Sequence, residues 1–164
     1  MSAPRGRQQT TARDGRPSRQ PSRSPDDSAG PPAQIAPALI ATRRIELQTF
    51  GYKFGDPPTA DLTFDVRFLA NPFWVPELQR LSGLEPEVRE YVLRQPEAGR
   101  FLELVYNLVT VTFPAYLAEG RPNLTVALGC TGGFHRSIAL GEVLAERLRR
   151  DGFNVTVHHR ELHQ

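Results

Sequence analysis

Leu124-Thr125-Val126-Ala127-Leu128-Gly129-Cys130-Thr131-Gly132-Gly133-Phe134-His135-Arg136-Ser137 is the segment on which the fold turns. Its first five residues form a short continuous apolar run, the pattern of a central parallel strand covered on both sides. After the glycine-rich turn, Ile138, Gly141, Val143, Leu144, Ala145 and Leu148 give a helix its core stripe, stopped at Asp151-Gly152. Phe153 to Val157 returns as a strand. This order predicts an α/β fold with a right-handed strand–helix–strand unit at its C-terminal end.

Upstream, Ile45 to Phe50 alternates and reads as a strand ending at Gly51. Leu62, Phe64, Val66 and Phe68 alternate as a second strand, with Asp61, Thr63, Asp65 and Arg67 on its opposite face. Asn71-Pro72 and Trp74-Val75-Pro76 read as a loop held down by aromatic bulk. Pro86 opens a short helix through about Arg94. Phe101 to Val109, reaching toward Leu117, is apolar on more than one face and predicts a buried helix kinked or ended by Pro114. The expected architecture over residues 44–164 is three-layer, a mostly parallel sheet with helices on both faces.

The chain has 164 residues, enough for one domain and a tail. Residues 1–32 contain no aromatic and no Ile, Leu or Val, and hold six Arg against three Asp. Of the chain's 20 basic and 18 acidic residues, 14 and 15 therefore lie beyond them, so the pI of about 9.0 belongs to the tail. Such a segment cannot bury enough apolar surface to offset its ordering entropy, and residues 1–43 are expected to be a disordered Pro/Ser/Arg-rich tail. It reads as an RNA-attracting arm, as an organelle presequence, or as a solvated linker with no dedicated partner. The weakly apolar Ile35–Ala41, broken by Pro37, is left unassigned. No apolar run approaches 18 residues, which argues against a membrane-spanning helix, and the start lacks the apolar core of a secretory signal. A single cysteine cannot close an internal disulfide, so a reducing, cytoplasmic setting is expected.

Ligands of open α/β sheets bind beyond the C-terminal ends of the strands, which is where Gly129–Ser137 falls. A turn of this kind brings unpaired backbone N–H groups and the positive end of a helix dipole to one place. Gly132 and Gly133 allow close approach of an anion. Arg136 can grip a phosphate with two bonds, and Thr131 and Ser137 can add hydroxyl donors. His135 is a further contact or a group titrating near neutrality. The competing reading is a tight strand-to-helix turn whose arginine caps something within the protein. A nucleotide-hydrolysing P-loop is excluded, because the chain has no Gly-Lys pair. Cys130 and Arg136 do stand at the Cys-x5-Arg spacing of cysteine-dependent phosphatases, in which a thiolate attacks phosphorus while arginine and amides hold the oxygens. Gly129 replaces the histidine that usually precedes that cysteine, no general-acid loop is identifiable, and the preferred reading of Cys130 is a small buried or ligand-lining side chain. His158 and His159 alternate faces of a strand and cannot share one metal; no metal and no cofactor is expected.

Several ordered blocks resemble the C-terminal domain of the RapZ family of RNase adapter proteins: Phe50 to Gly55, Ala60 to Leu69, Asn71-Pro72 with Trp74 and Pro76, Leu81 to Leu84, Gly129 to Ser137, and His158-His159-Arg160. The resemblance covers about Arg44 to Leu162, without the nucleotide-binding kinase-like domain that precedes it in the family. It implies a bacterial, non-catalytic sensor related to a sugar-phosphate-kinase subdomain, binding glucosamine-6-phosphate and contacting a small RNA for a ribonuclease, with assembly into a homodimer. On matching positions, the Cys130-Thr131-Gly132 backbone and Arg136 would hold phosphate. Asp65 and Arg67 would take the sugar's amine or hydroxyls, with Lys53 and Arg94 as further candidates. Three positions depart from the pattern. Phe73 stands where some members carry a ligand-facing histidine, Phe134 replaces a lysine, and the end lacks a Lys/Arg-rich extension. The basic set Arg147, Arg149, Arg150 and Arg160 near the last helix and strand reads as a solvated face or a weak RNA contact.

Overall fold

A computed structural model describes residues 44–162; the expected tail at 1–43, with Ile35–Ala41 inside it, lies outside the described residues. Strand β1 (Arg44–Gly51) leads through a 3-10 turn (Tyr52–Phe54) to β2 (Leu62–Asp65). A second 3-10 turn (Pro72–Trp74) precedes helices α1 (Pro86–Leu93) and α2 (Pro96–Ala118). Then come β3 (Asn123–Cys130), helix α3 (Arg136–Arg150) and β4 (Asn154–His159).

The four strands form one parallel sheet in the order β2-β3-β1-β4, so the apolar run 124–128 is an interior strand, as its composition requires. Pairing runs in register from Arg44↔Asn123 to Gly51↔Cys130, which brings the C-terminal ends of β1 and β3 out side by side. Ile45 and Leu47 of β1 and Leu124, Val126 and Leu128 of β3 are fully or almost fully buried in the core. They meet Leu140, Leu144 and Leu148 of α3 and Val105, Val109 and Phe113 of α2. Burying such a side chain contributes about 1.5–3 kcal/mol. Close helix-on-sheet contact is set by Gly141, where a Cβ would stand 2.9 Å from Thr49 Cγ2. On the sheet's other side, the Phe50 and Tyr52 rings, edge to face at 4.8 Å, cross Gly129 so closely that a Cβ there would meet both. The arrangement is consistent with a three-layer α/β fold.

Three expectations change. Strand β2 stops at Asp65, because the Asp65 carboxylate accepts the Arg67 backbone N–H and the chain turns, with Leu69 N–H donating to Val66 O. Val66 stays buried while Phe68 is left exposed. Pro114 does not end α2: the helix continues to Ala118 because Phe113 and Leu117, on either side of it, are both anchored in the core. The 71–76 segment is held by buried Pro72 and by the Asn71 side chain accepting from Phe73 N–H, not by its rings; Trp74 is 78% exposed.

By length and composition α2 could also cross a membrane, contrary to the expectation drawn from run length. Here the face bearing Ala98, Leu102, Val105, Val109 and Phe113 packs into the core, while Leu104, Leu108 and Val111 face outward.

Candidate functional site

Cys130 ends β3 and His135 leads into α3, so residues 131–135 must turn from the sheet's end into the helix within five residues. Two backbone bonds pin this loop from opposite sides: Lys53 N–H donates to Thr131 O at 2.9 Å, and Gly83 N–H to Phe134 O at 2.8 Å. Both use loop carbonyls. Among the described residues, the N–H groups of Gly132 through Ser137 find no backbone acceptor. Gly133 adopts φ 65°, and its missing Cβ makes room for Glu161 Oε2 and for Gly51 N.

Arg136 is 3% exposed, yet it is the first residue of a helix. Its Nη1 donates to Leu69 O at 2.7 Å and Arg67 O at 3.1 Å, and its Nη2 to Thr131 Oγ1 at 3.1 Å. Its Nε is buried and has no partner. The residue therefore combines the two readings left open by sequence. It caps carbonyls where the chain leaves β2, and it brings an unsatisfied donor and a full positive charge to the loop. A buried cationic donor left unpaired is costly, and an oxyanion is the group that would satisfy it.

Above this loop lies a cavity of about 380 Å³, a size typical of small-molecule sites. Its floor is Cys130, Thr131, Gly132, His135 and Arg136. Its walls are Phe73, Trp74 and Phe134 with Asn71 and Gln79, and Lys53 and Phe54 stand at one side. No Asp or Glu lines it. The Cys130 thiol, in a residue 2% exposed, sits 3.3 Å from Ser137 Oγ. His135 contacts Gln79 O through Nε2 at 3.3 Å. Burial holds its pKa below the ordinary 6.5; the Gln79 and Leu78 carbonyls pull the other way, and Arg136 adds to the lowering. It is thus a neutral imidazole at pH 7.

Of the residues singled out by sequence, Lys53, Cys130, Thr131, Gly132, His135 and Arg136 come together around the cavity. Gly133 and Ser137 belong to the same loop and first turn but face inward. Asp65 and Arg67 do not line it. Their side chains bind each other, with Arg67 Nε and Nη2 donating to both carboxylate oxygens, and this pairing holds the Asp65 carboxyl below its usual range. Arg67 also lies 4.0 Å over the Tyr52 ring, and its contribution to the site is the carbonyl that receives Arg136. Arg94 is exposed at the end of α1 and pairs with Glu90. Sequence reasoning missed Phe54, Asn71, Trp74 and Gln79 as lining, and treated Phe73 and Phe134 only as departures. The available signal was a Pro-initiated turn carrying two consecutive large rings, which a purely structural turn has no need of.

Three of the basic set make separate contacts: Arg147 pairs with Glu103, Arg149 donates to Val155 O, and Arg160 binds Glu161 and the Asp56 and Gly51 carbonyls, while Arg150 is exposed. His159 bridges Thr49 Oγ1 and Glu142, and among the described residues no three potential metal ligands cluster.

A family model described as the RapZ C-terminal domain matches residues 43–163. A protein of Mycolicibacterium smegmatis named as a nucleotide-binding protein is 51% identical over 124 residues, 75% of this chain and 43% of that protein. Similarly named proteins of Geobacter metallireducens and a Thermoanaerobacter species are 51% and 44% identical over 118 residues, 72% of this chain and 41% and 42% of theirs. The chain thus spans about two fifths of the length of these relatives.

Proposed function

The chain belongs to the RapZ C-terminal domain family, and on that premise we propose that it is a non-catalytic module binding the phosphate ester of a hexose or hexosamine at the Gly129–Ser137 loop. The observation that carries this reading is the unpartnered, buried Nε of Arg136 in the same loop as the unpaired amides of Gly132, Phe134, His135 and Arg136, residues that line the cavity at the end of a parallel sheet. Lys53 supplies a second positive charge at the cavity, matching the double negative charge of a phosphomonoester. Arg136 has its Nη groups fixed by Leu69, Arg67 and Thr131, so it meets the ligand without reorganising.

The rival reading, a phosphatase using Cys130, is favoured by the thiol's place on the cavity floor next to Arg136. Against it stand the thiol's burial, its contact with Ser137, and a cavity without any carboxylate to protonate a leaving group. Coupling to a small RNA or a ribonuclease is the regulatory half of the proposal. With Arg147, Arg149 and Arg160 committed internally and Arg150 exposed, its electrostatic part draws on Arg150 and the arginines at 5–23.

The test is a thermal-shift titration with inorganic phosphate, glucosamine-6-phosphate and glucose-6-phosphate. A ligand specific for the native state raises the melting temperature once above its dissociation constant, and concentrations to about 10 mM reach weak sites. Lys53→Ala, at an exposed position, should weaken every response several-fold without changing the unliganded melting temperature. No shift with any of the three compounds refutes the proposal. Phosphomonoester turnover that disappears in Cys130→Ser establishes the enzyme instead. If the tail carries RNA affinity, deletion of residues 1–32 lowers it and flattens its salt dependence.

A further inference from the structure

We infer that the outer face of α2 is a docking surface for the chain's own residues 33–42, which fold back over the helix as a strap just ahead of β1.

The helix face calls for a cover. From Leu104 to Ala118 α2 carries no charged residue, in a chain of which 23% is charged. Leu104, Leu108 and Val111 recur at the four- and three-residue steps of one helix face and are 70%, 40% and 74% exposed. Ala115 and Ala118 continue the same row and are exposed as well. None of the three large side chains belongs to the packed core. The other face of α2 already has its partners, because Leu102, Val105, Val109, Phe113 and Leu117 are buried. A single exposed leucine needs no account. A continuous apolar row about four turns long, with charge only beyond its ends at Glu103 and Glu119, is a surface that something covers.

The occupant follows from where the chain enters β1. Arg44 pairs in register with Asn123, and its N–H reaches Pro122 O at 3.5 Å, so β1 starts beside the short turn that leaves the end of α2 at Ala118. The sequence ahead of β1 changes character at the same place. Residues 1–32 have no Ile, Leu or Val and alternate Arg and Asp among small polar residues; residues 33–42 have no charge and hold Ile35, Leu39 and Ile40. The aliphatic side chains ahead of β1 are thus gathered where they can reach α2. Ten residues span up to about 33–36 Å when extended, and Leu104 to Ala118 is about 21 Å of helix, so the segment can lie along the whole row. Pro37 suits an extended strap, because it has no backbone donor to satisfy and biases Ala36 toward extended backbone. An uncharged segment on an uncharged face also buries no unpaired charge. Two copies of the chain pairing through α2 would cover the row but leave Ile35, Leu39 and Ile40 without a partner.

The test is trypsin cleavage of the full chain, followed by mass spectrometry. Residues 33–42 contain no Lys or Arg, so Arg43 is the cleavage site that reports on the strap. Cleavage of a bond reached only when the strap lifts tracks the lifted fraction. Val111→Asp, at an exposed position, and Leu39→Asp, ahead of the folded part, should each speed cleavage after Arg43 at least about fivefold, which corresponds to a strap seated at least about four-fifths of the time. The double variant should be cut no faster than about the faster single variant, since both substitutions remove one contact. Unchanged cleavage in both single variants overturns the inference, because the start of β1 alone then guards the bond. Acceleration by only one of them, or full additivity in the double variant, overturns it equally. So does an oligomer that Val111→Asp dissociates in sedimentation velocity, which gives the face to a second copy, or binding to phosphatidylcholine–phosphatidylglycerol vesicles that Val111→Asp abolishes, which gives it to a lipid surface.

Discussion

Gly132 and Gly133 are adjacent and chemically identical, and the structure gives them opposite tolerances. At Gly133, φ is 65°, in the left-handed region, and an added Cβ would stand 2.5 Å from Glu161 Oε2, 2.6 Å from Gly51 N and 2.8 Å from Phe50 C. Two of those three atoms are backbone within a paired strand, and the third belongs to a carboxylate tethered by Arg160, so none can swing aside cheaply. Left-handed backbone costs a non-glycine residue about 1–2 kcal/mol. Overpacking adds about 1–3 kcal/mol, and the stiffer unfolded chain returns roughly 0.4–1 kcal/mol. Gly133→Ala should therefore lose roughly 1–4.6 kcal/mol. At Gly132 no heavy atom lies within 4 Å of the added Cβ, and Gly132→Ala should change stability by less than about 0.5 kcal/mol. Urea denaturation of the two variants beside the parent measures both numbers. Equal losses in the two, or a Gly133→Ala variant within about 1 kcal/mol of the parent, would refute the loop geometry on which the anion site depends.

Three other outcomes follow from the same neighbourhood. Arg136→Ala orphans the Arg67 and Leu69 carbonyls and should cost about 2–4 kcal/mol by urea denaturation; Arg136→Lys should remain folded at 15 °C but bind phosphate at least tenfold more weakly by calorimetry, and undiminished affinity there removes Arg136 from the site. His135 has a native pKa depressed below its unfolded value, so the unfolded chain takes up a proton first on acidification. Stability is then level above about pH 6.5 and falls as the pH drops below it, and His135→Gln should lose that component of the denaturation-versus-pH curve; a parent curve flat between pH 7 and 5 contradicts the buried neutral imidazole. The Cys130 thiol should react with a small aromatic disulfide at least about 100-fold more slowly in the native protein than in urea, a stopped-flow measurement in which rapid native labelling would contradict its burial.

What the sequence made legible followed from periodicity. The 124–128 run, the β1 alternation ending at Gly51 and the stripe of α3 each carry a pattern that one fold class satisfies, and the glycine loop sits between two of them. What it concealed was decided by single contacts. Alternation through Val66 and Phe68 extends past Asp65, but a carboxylate that bonds the backbone two residues ahead ends the strand. Asp65 and Arg67 share one face of an ideal strand; turning the chain between them let them pair with each other and removed them from the cavity. Phe73 and Trp74 look like packing material, because composition does not say which side of a turn faces the core.

Arg136 explains why the fold and the site are not separable here. Its Nη1 joins the carbonyls of Arg67 and Leu69, and its Nη2 joins Thr131, so one guanidinium ties the exit of β2 to the exit of β3. Those two strands pair from Leu62↔Val126 to Asp65↔Gly129, a short ladder at the sheet's edge flanked by Asp61 N–H on Thr125 O and Val66 N–H on Gly129 O. The remaining donor, Nε, is buried and unpartnered, so the structure carries a cost that an anion would relieve. Binding an oxyanion should therefore tighten β2 and the 66–70 turn, whose side chains do not line the cavity, along with the loop itself. Amide exchange reads this directly: phosphate should slow exchange at Val66 and Leu69 as well as at Gly132 to Ser137. Protection confined to the loop would show that the guanidinium's two roles are independent, and that the strand's edge is held without help from the ligand.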